Sequence, residues 1–336
     1  MQKFIIAVVL LLGILLILTQ FAELQAIVMT IRQGDWIYIA LAIIVQAVWF
    51  INMAAAYRAI YKALGMEESL RQLLLLTSSA DFVNVVAPTA GMSGMAVFIA
   101  AANKKGISAA RVTVAGVLYV FFDYFSFLLV LVLGLTVLFR RNNLNEPELV
   151  ASAMLALIAA VMAMLILLGM RSGEALGKVL AWMAQQVNWI VKPFVHREYL
   201  SEQYAHQFAN DAAEGLALLK KKPRVIGFPV GLALFGKGLL ITVLWLTFLA
   251  FQVPFSIGTL IAGFSIGYLF LIISPTPMGI GVVEGALAIG LNTLNVPLSA
   301  ATVIALTFRG VTFWLPLLFR MAAFRYMTHH GLQAPA

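Results

Sequence analysis

Twice in this chain a long apolar run is cut by prolines, glycines and hydroxyl residues. The first cut is Ala87-Pro88-Thr89-Ala90-Gly91-Met92-Ser93-Gly94, and the second is Ser274-Pro275-Thr276-Pro277-Met278-Gly279-Ile280-Gly281. Proline removes a backbone donor and clashes with the preceding turn, and glycine releases the backbone from helical dihedrals. Roughly a helical half-span lies on either side of each cut. Backbone groups set free in hydrocarbon are costly, so such breaks persist only where protein or a watery cavity satisfies them. A matched pair of interrupted segments in the two halves of a chain is the usual pointer to a transporter's binding site.

Composition says that the surroundings are a bilayer. The chain is 62% hydrophobic and 11% charged, with a mean hydropathy of +0.99. Ordinary soluble domains are about 45–50% apolar and about 25% charged. The reading is an all-α polytopic membrane protein. The formal charge of +8 does not mark a nucleic-acid binder, because the basic residues sit in loops between apolar runs, where topology and anionic headgroups put them. The absence of cysteine excludes disulfides, thiolate metal sites and cysteine nucleophiles. His196, His206, His329 and His330 fall outside the spans and form no metal cluster. No nucleotide-binding loop or nucleophile constellation is present, so no cofactor is expected, and the chain is not read as an enzyme.

Apolar stretches near the ~20 residues that cross hydrocarbon fall at 3–20, 36–57, 112–139, 149–170, 225–251 and 298–319. The first is read as a retained span rather than a signal peptide, since no small-residue cleavage site follows it. Two more stretches, 72–103 and 257–294, are the ones split by the breaks. Their halves are mostly too short to cross at about 1.5 Å per residue. The expectation is therefore about six full transmembrane helices plus two re-entrant helical hairpins, the alternative being tilted full spans. With both termini cytoplasmic, Arg32, Arg140 and Arg141 lie outside, Lys237 and Arg309 lie in the membrane, and the other lysines and arginines, Arg320 among them, are cytoplasmic. This bias favours that orientation in an inner (plasma) membrane. The first hairpin then enters from the cytoplasm and the second from outside. Units 57–139 and 257–319 become an inverted repeat within one integral membrane domain, 1–336. Between them, 171–224 reads as a cytoplasmic segment. Gly173–Val191 is amphipathic with Trp182 and Trp189, 197–219 is a polar helix, and a basic Lys220-Lys221-Lys222 cluster lies at the membrane surface.

Five ionisable residues lie inside apolar segments: Asp81, Asp123, Lys237, Glu284 and Arg309. Such charges cost about 2.5–3.5 kcal/mol on insertion scales and face a cavity or a partner. Glu284 follows the second break and Arg309 lies midway along the next span, so the two are expected to pair. The competing reading of that pair is a structural one that fixes helix register. Asp123 occupies a comparable place after the first hairpin. Asp81 is expected to cap or hydrogen-bond the hairpin backbone, and Lys237 to snorkel toward the cytoplasmic edge, although Gly236 and Gly238 beside it leave room for close packing or a headgroup. At the tips, helices that begin after Gly91 and Gly279 project free N–H groups and positive dipole ends. Thr89, Ser93 and Thr276 add hydroxyls, and Gly281 completes the second turn. Glu284, Arg309, Asp123, Thr89, Gly91, Ser93, Thr276, Gly279, Gly281 and Lys237 are the candidate substrate-binding residues.

The run Pro275-Thr276-Pro277-Met278-Gly279-Ile280-Gly281-Val282-Val283-Glu284-Gly285-Ala286, followed by Ala305-Leu306-Thr307-Phe308-Arg309-Gly310-Val311-Thr312-Phe313-Trp314-Leu315-Pro316, resembles the lysylphosphatidylglycerol synthase transmembrane (flippase-domain) family. The resemblance spans nearly the whole chain in length and order and is specific in the second unit. It implies inverted re-entrant hairpins and movement of an anionic or aminoacylated lipid between leaflets, with Glu284 and Arg309 as the family's buried polar residues. In the first unit, Gly91-Met92-Ser93 stands where relatives often have Gly-Glu, and Tyr119-Val120-Phe121-Phe122 where they often have an Arg before the aspartate. The soluble aminoacyl-transferase domain of the full-length synthases is absent from these 336 residues, so the chain is not expected to make lysyl-lipid itself. The function expected is a lipid flippase with membrane lipids as partners and no nucleic acid; a homo-oligomer is left open. The alternatives are an intramembrane transferase acting on a lipid-linked substrate, with Glu284 or Asp123 as base, and a non-transporting scaffold.

Overall fold

Helices dominate because the apolar runs have nothing else with which to satisfy their backbone. The structure, a computed structural model, describes residues 29–87, 92–191, 202–221 and 223–329. It contains no strand among them. In order the helices are α1 (Trp36–Ala63), α2 (Leu70–Val86), α3 (Met92–Asn103), α4 (Ala109–Arg140), α5 (Glu146–Arg171), α6 (Gly173–Val191), α7 (Glu202–Lys221), α8 (Gly227–Ala250), α9 (Ile257–Ile273), α10 (Val282–Thr293), α11 (Leu298–Arg309) and α12 (Leu315–His329). A π-helical turn, Gly310–Trp314, joins α11 to α12 without interruption. Among the described residues, five helices are long and apolar enough to cross a membrane: α1, α4, α5, α8 and the continuous 298–329 rod. The chain is thus a multi-pass membrane protein. The stretch 3–20 lies outside the described residues. The last span runs ten residues past the expected end at Phe319, because Arg320 turns inward to Asp81 and does not terminate the apolar helix.

Helix starts follow local chemistry. Asp35 caps α1 by accepting from the Ile37 N–H at 2.9 Å, and Ser69 and Ser256 do the same for α2 and α9. α1 and α8 run antiparallel. Asp35 N–H donates to the Ala250 carbonyl at one end, and the Asn52 amide donates to the Leu232 carbonyl toward the other, each at 2.9 Å. α4 and α9 are antiparallel too, with Arg141 donating to Ser256 (2.9 Å) and Thr259 (3.2 Å), and Phe127 lying against Phe264 and Tyr268.

Around each break the two flanking helices pack on one another. In the second, α9 and α10 interlock by complementary size: a Cβ on Gly263 would lie 2.6 Å from Leu291, and one on Gly290 2.7 Å from Ile266. The feet of this pair are tied together by Asn143, whose amide donates to the Thr293 carbonyl (2.5 Å), and by Arg141 on Ser256. The feet of the α2–α3 pair are tied by Lys105 to Glu68, at 2.6 Å. Ser108 donates to Asp211 at this second set of loops (3.1 Å), which docks α7 there.

The expected amphipathic helix is α6, with the bounds given above, and α7 packs against it. Its Glu174 pairs with Lys178 at 2.7 Å, and that hydrogen bond holds the Glu174 carboxyl below its usual range. Trp182 and Trp189 stand exposed, as an interfacial helix requires. Among the described residues, two large apolar cores form within the bundle, beside a smaller one of Leu138, Ala262, Ile266 and Leu294. One gathers Tyr57, Leu73, Phe98 and Leu118; the other gathers Phe127, Leu244, Phe264, Leu287 and Ile304. Trp49 packs against both, and a largely apolar cavity with a few charged side chains on its rim opens beside it.

Candidate functional site

Polar groups collect on the inward stripes of the helices that meet at Trp49. Gln46, Trp49 and Met53 follow helical spacing on α1, as do Phe264, Gly267, Tyr268 and Leu271 on α9. These stripes line a cavity of about 200 Å³, closed further by Asp81, Asp123, Met278, Arg309 and Arg320. A second cavity, about 410 Å³, reaches Asn84, Met92 and Gly94 at the first break. The two share Met53, Asp81 and Tyr119 as lining.

Three ion pairs, each with a buried cation, surround this space. Arg309 donates from Nε to Glu284 Oε1 at 2.5 Å and from Nη2 to the Met278 carbonyl at 2.9 Å, and its guanidinium lies 4.6 Å from the Phe313 ring centre. The expected pair is formed. Its geometry depends on the break: Met278 is a non-glycine residue at φ 52°, followed by Gly279 at 73° and Gly281 at 77°. Left-handed backbone at Met278 is unfavourable for a side chain, and the Arg309 bond to its carbonyl helps hold it.

Lys237 does not reach an edge. It is 1% exposed, with Nζ 2.5 Å from Asp123 Oδ1 and 2.5 Å from the Tyr268 hydroxyl. Tyr268 in turn donates to Asp123 Oδ2 at 2.8 Å, and its ring centre lies 3.9 Å from the ammonium. A carboxylate one helix away satisfies the charge more closely than a long reach to water does, so the expected snorkelling is replaced by an internal triad.

Asp81 does not cap the hairpin. It faces Arg320 Nη2 at 3.5 Å. Arg320, assigned to a cytoplasmic segment by charge counting, is 3% exposed and lines the cavity. Counting charges near a span's end cannot tell the last loop residue from the last inward-facing turn; the helical spacing from Arg309 through Thr312, Phe313 and Pro316 to Arg320 was the available signal.

The described tip hydroxyls are spent in their own turns. Ser93 donates to the Ala87 carbonyl at 2.6 Å, and Thr276 to the Ile280 carbonyl at 2.9 Å. Asn84, not singled out in the sequence, braces the first tip by accepting the Gly94 N–H at 2.7 Å. Thr89 and Gly91 lie outside the described residues. Among the described residues, no group of His, Asp or Glu could hold a metal ion.

A comparison with curated proteins returns no match. A protein-family model, that of the lysylphosphatidylglycerol synthase TM region, matches residues 4–319. That match takes in both breaks and the Arg309–Glu284 and Lys237–Asp123 pairs, and it links the bundle to membrane-lipid biology. The chain belongs to the lysylphosphatidylglycerol synthase transmembrane-region family.

Proposed function

We propose that this protein moves a phospholipid headgroup between leaflets, through the charge-rimmed space between its two broken-helix units. One observation carries the reading. An apolar multi-pass bundle keeps cavities rimmed by Asp81, Asp123, Arg309 and Arg320, and residues of both units line them. Charges so placed in a membrane are costly, and where they occur they mark substrate or ion pathways. The paired feet of α2–α3, joined by Lys105 and Glu68, and of α9–α10, joined through Asn143, support two re-entrant hairpins of opposite sense. Both termini are then cytoplasmic, and the chain transports rather than transforms its substrate.

The test is a proteoliposome carrying a headgroup-labelled phospholipid in one leaflet. The expected result is a protein-dependent change in the label's sidedness with the lipid's mass unaltered. A new lipid species by mass spectrometry would support the transferase reading. No change of either kind across anionic and zwitterionic lipids would support the scaffold.

A further inference from the structure

The three ion pairs around the cavity are not equally complete. Lys237 is held by a carboxylate, a phenol and a ring face, and Arg309 by a carboxylate, a carbonyl and a ring face. Arg320 has a ring face, Phe50, but a single long polar contact, 3.5 Å to Asp81, and its Nε and Nη1 are buried with no hydrogen-bond partner. Buried guanidinium donors are seldom left open, because each lost bond to water goes unreplaced. Gln46, another cavity-lining residue, is 3% exposed and has neither amide atom bonded. One turn along α1 from Gln46, Phe50 sets its ring centre 5.3 Å from the Arg320 guanidinium. Two neighbouring elements thus hold unspent donors over one cavity.

The Asp81–Arg320 pair is also lopsided. The Arg320 side chain is 3% exposed and that of Asp81 26%. Asp81 borders the second cavity as well as the first. The acid therefore has open space to turn into when the pair opens, and the base does not.

We propose that Arg320 and Gln46 form a binding site for a phosphate oxyanion, with Asp81 as the displaceable counter-ion. The guanidinium fork matches two phosphate oxygens, and the Gln46 amide adds a further donor. Apolar Leu240, Leu271 and Phe308 complete the lining, which suits a phosphodiester attached to a glycerol stem. The inference rests on the transport reading for its lipid source, but its test measures binding alone.

The experiment is equilibrium binding to the purified full chain in nanodiscs, with phosphatidylglycerol, a phosphate-free diacylglycerol glycolipid and inorganic phosphate as probes. Phosphatidylglycerol is expected to bind and the glycolipid not to. Gln46→Leu, and the charge-balanced double variant Arg320→Met with Asp81→Asn, should each weaken phosphatidylglycerol binding about tenfold or more. The exposed Glu174→Gln should leave it unchanged. Displacement by inorganic phosphate at comparable concentration would keep the oxyanion site and overturn its lipid source. Wild-type affinity in a folded double variant, or in Gln46→Leu should the double variant not fold, would overturn the site. Flipping that persists while these variants bind normally leaves transport standing and sinks the site. Binding that falls as expected in a protein that never flips lipid does the reverse.

Discussion

Arg309 joins two elements that the chain's second break would otherwise leave loose, with Glu284 on one side and the Met278 carbonyl on the other. Truncating one member strands the other charge in low dielectric, a loss of about 3–5 kcal/mol, whereas replacing both with neutral groups is often nearly neutral. Thermal unfolding should therefore rank Glu284→Gln and Arg309→Met well below wild type, with the double variant near it; a double variant worse than either single would refute the pairing. The same reasoning separates the members of the Lys237 triad. Asp123→Asn leaves an ammonium whose side chain is 2% exposed, and Lys237→Met leaves a carboxylate at 19%. The drier stranded ion costs more, so Asp123→Asn should unfold at the lower temperature. At this scale the sequence was legible where partners are near in the chain or share a motif, as Glu284 and Arg309 do. It was silent on Lys237 with Asp123 and on Arg320 with Asp81, whose partners come from distant helices and depend on packing that no local pattern encodes.

The broken pairs of helices were the most legible elements, because proline and glycine act through local backbone sterics. The second break and the four helices flanking the two breaks fall where the residues put them. What the sequence could not say is how the halves lock. In α9–α10 this rests on Gly263 beneath Leu291 and Gly290 beneath Ile266, a match of sizes visible only once the two helices face each other. Gly279 sits at φ 73°, and a Cβ there would overlap the Val283 side chain and come within 3.1 Å of Leu271. Gly279→Ala should cost about 1–2 kcal/mol of stability from left-handed strain alone. Gly285 lies in α10, and a Cβ added there would meet nothing within 4 Å, so Gly285→Ala should stabilise the helix by up to about 1 kcal/mol. Melting temperatures of the two variants, moving in opposite directions, check the assigned turn.

The whole molecule sorts its loops into two sets, one holding Arg141, Asn143, Ser256 and Thr293, the other holding Glu68, Lys105, Ser108 and Asp211. Charge bias had already divided these loops by side, since basic residues crowd one set. In this cysteine-free chain, a cysteine at Glu146 should react with an impermeant reagent from outside and one at Lys104 only after the cytoplasmic face is opened; the reverse pattern would invert the topology. A cleft between the two tips was the expectation; of the residues that line the cavity beside Trp49, the sequence had singled out Asp123 and Arg309 as binding candidates but not the residues of α1. α1 supplies Gln46, Trp49 and Met53, residues of an ordinary span that only the assembled bundle turns inward. If lipid passes through this space, filling the space must stop it. Thr312→Trp puts an indole where a cavity-lining threonine stands. The quantity to follow is the initial rate of phospholipid sidedness change in proteoliposomes, beside wild type at equal folded protein. A folded variant should show transport near background, and one that flips lipid at the wild-type rate would rule out passage through the cavity.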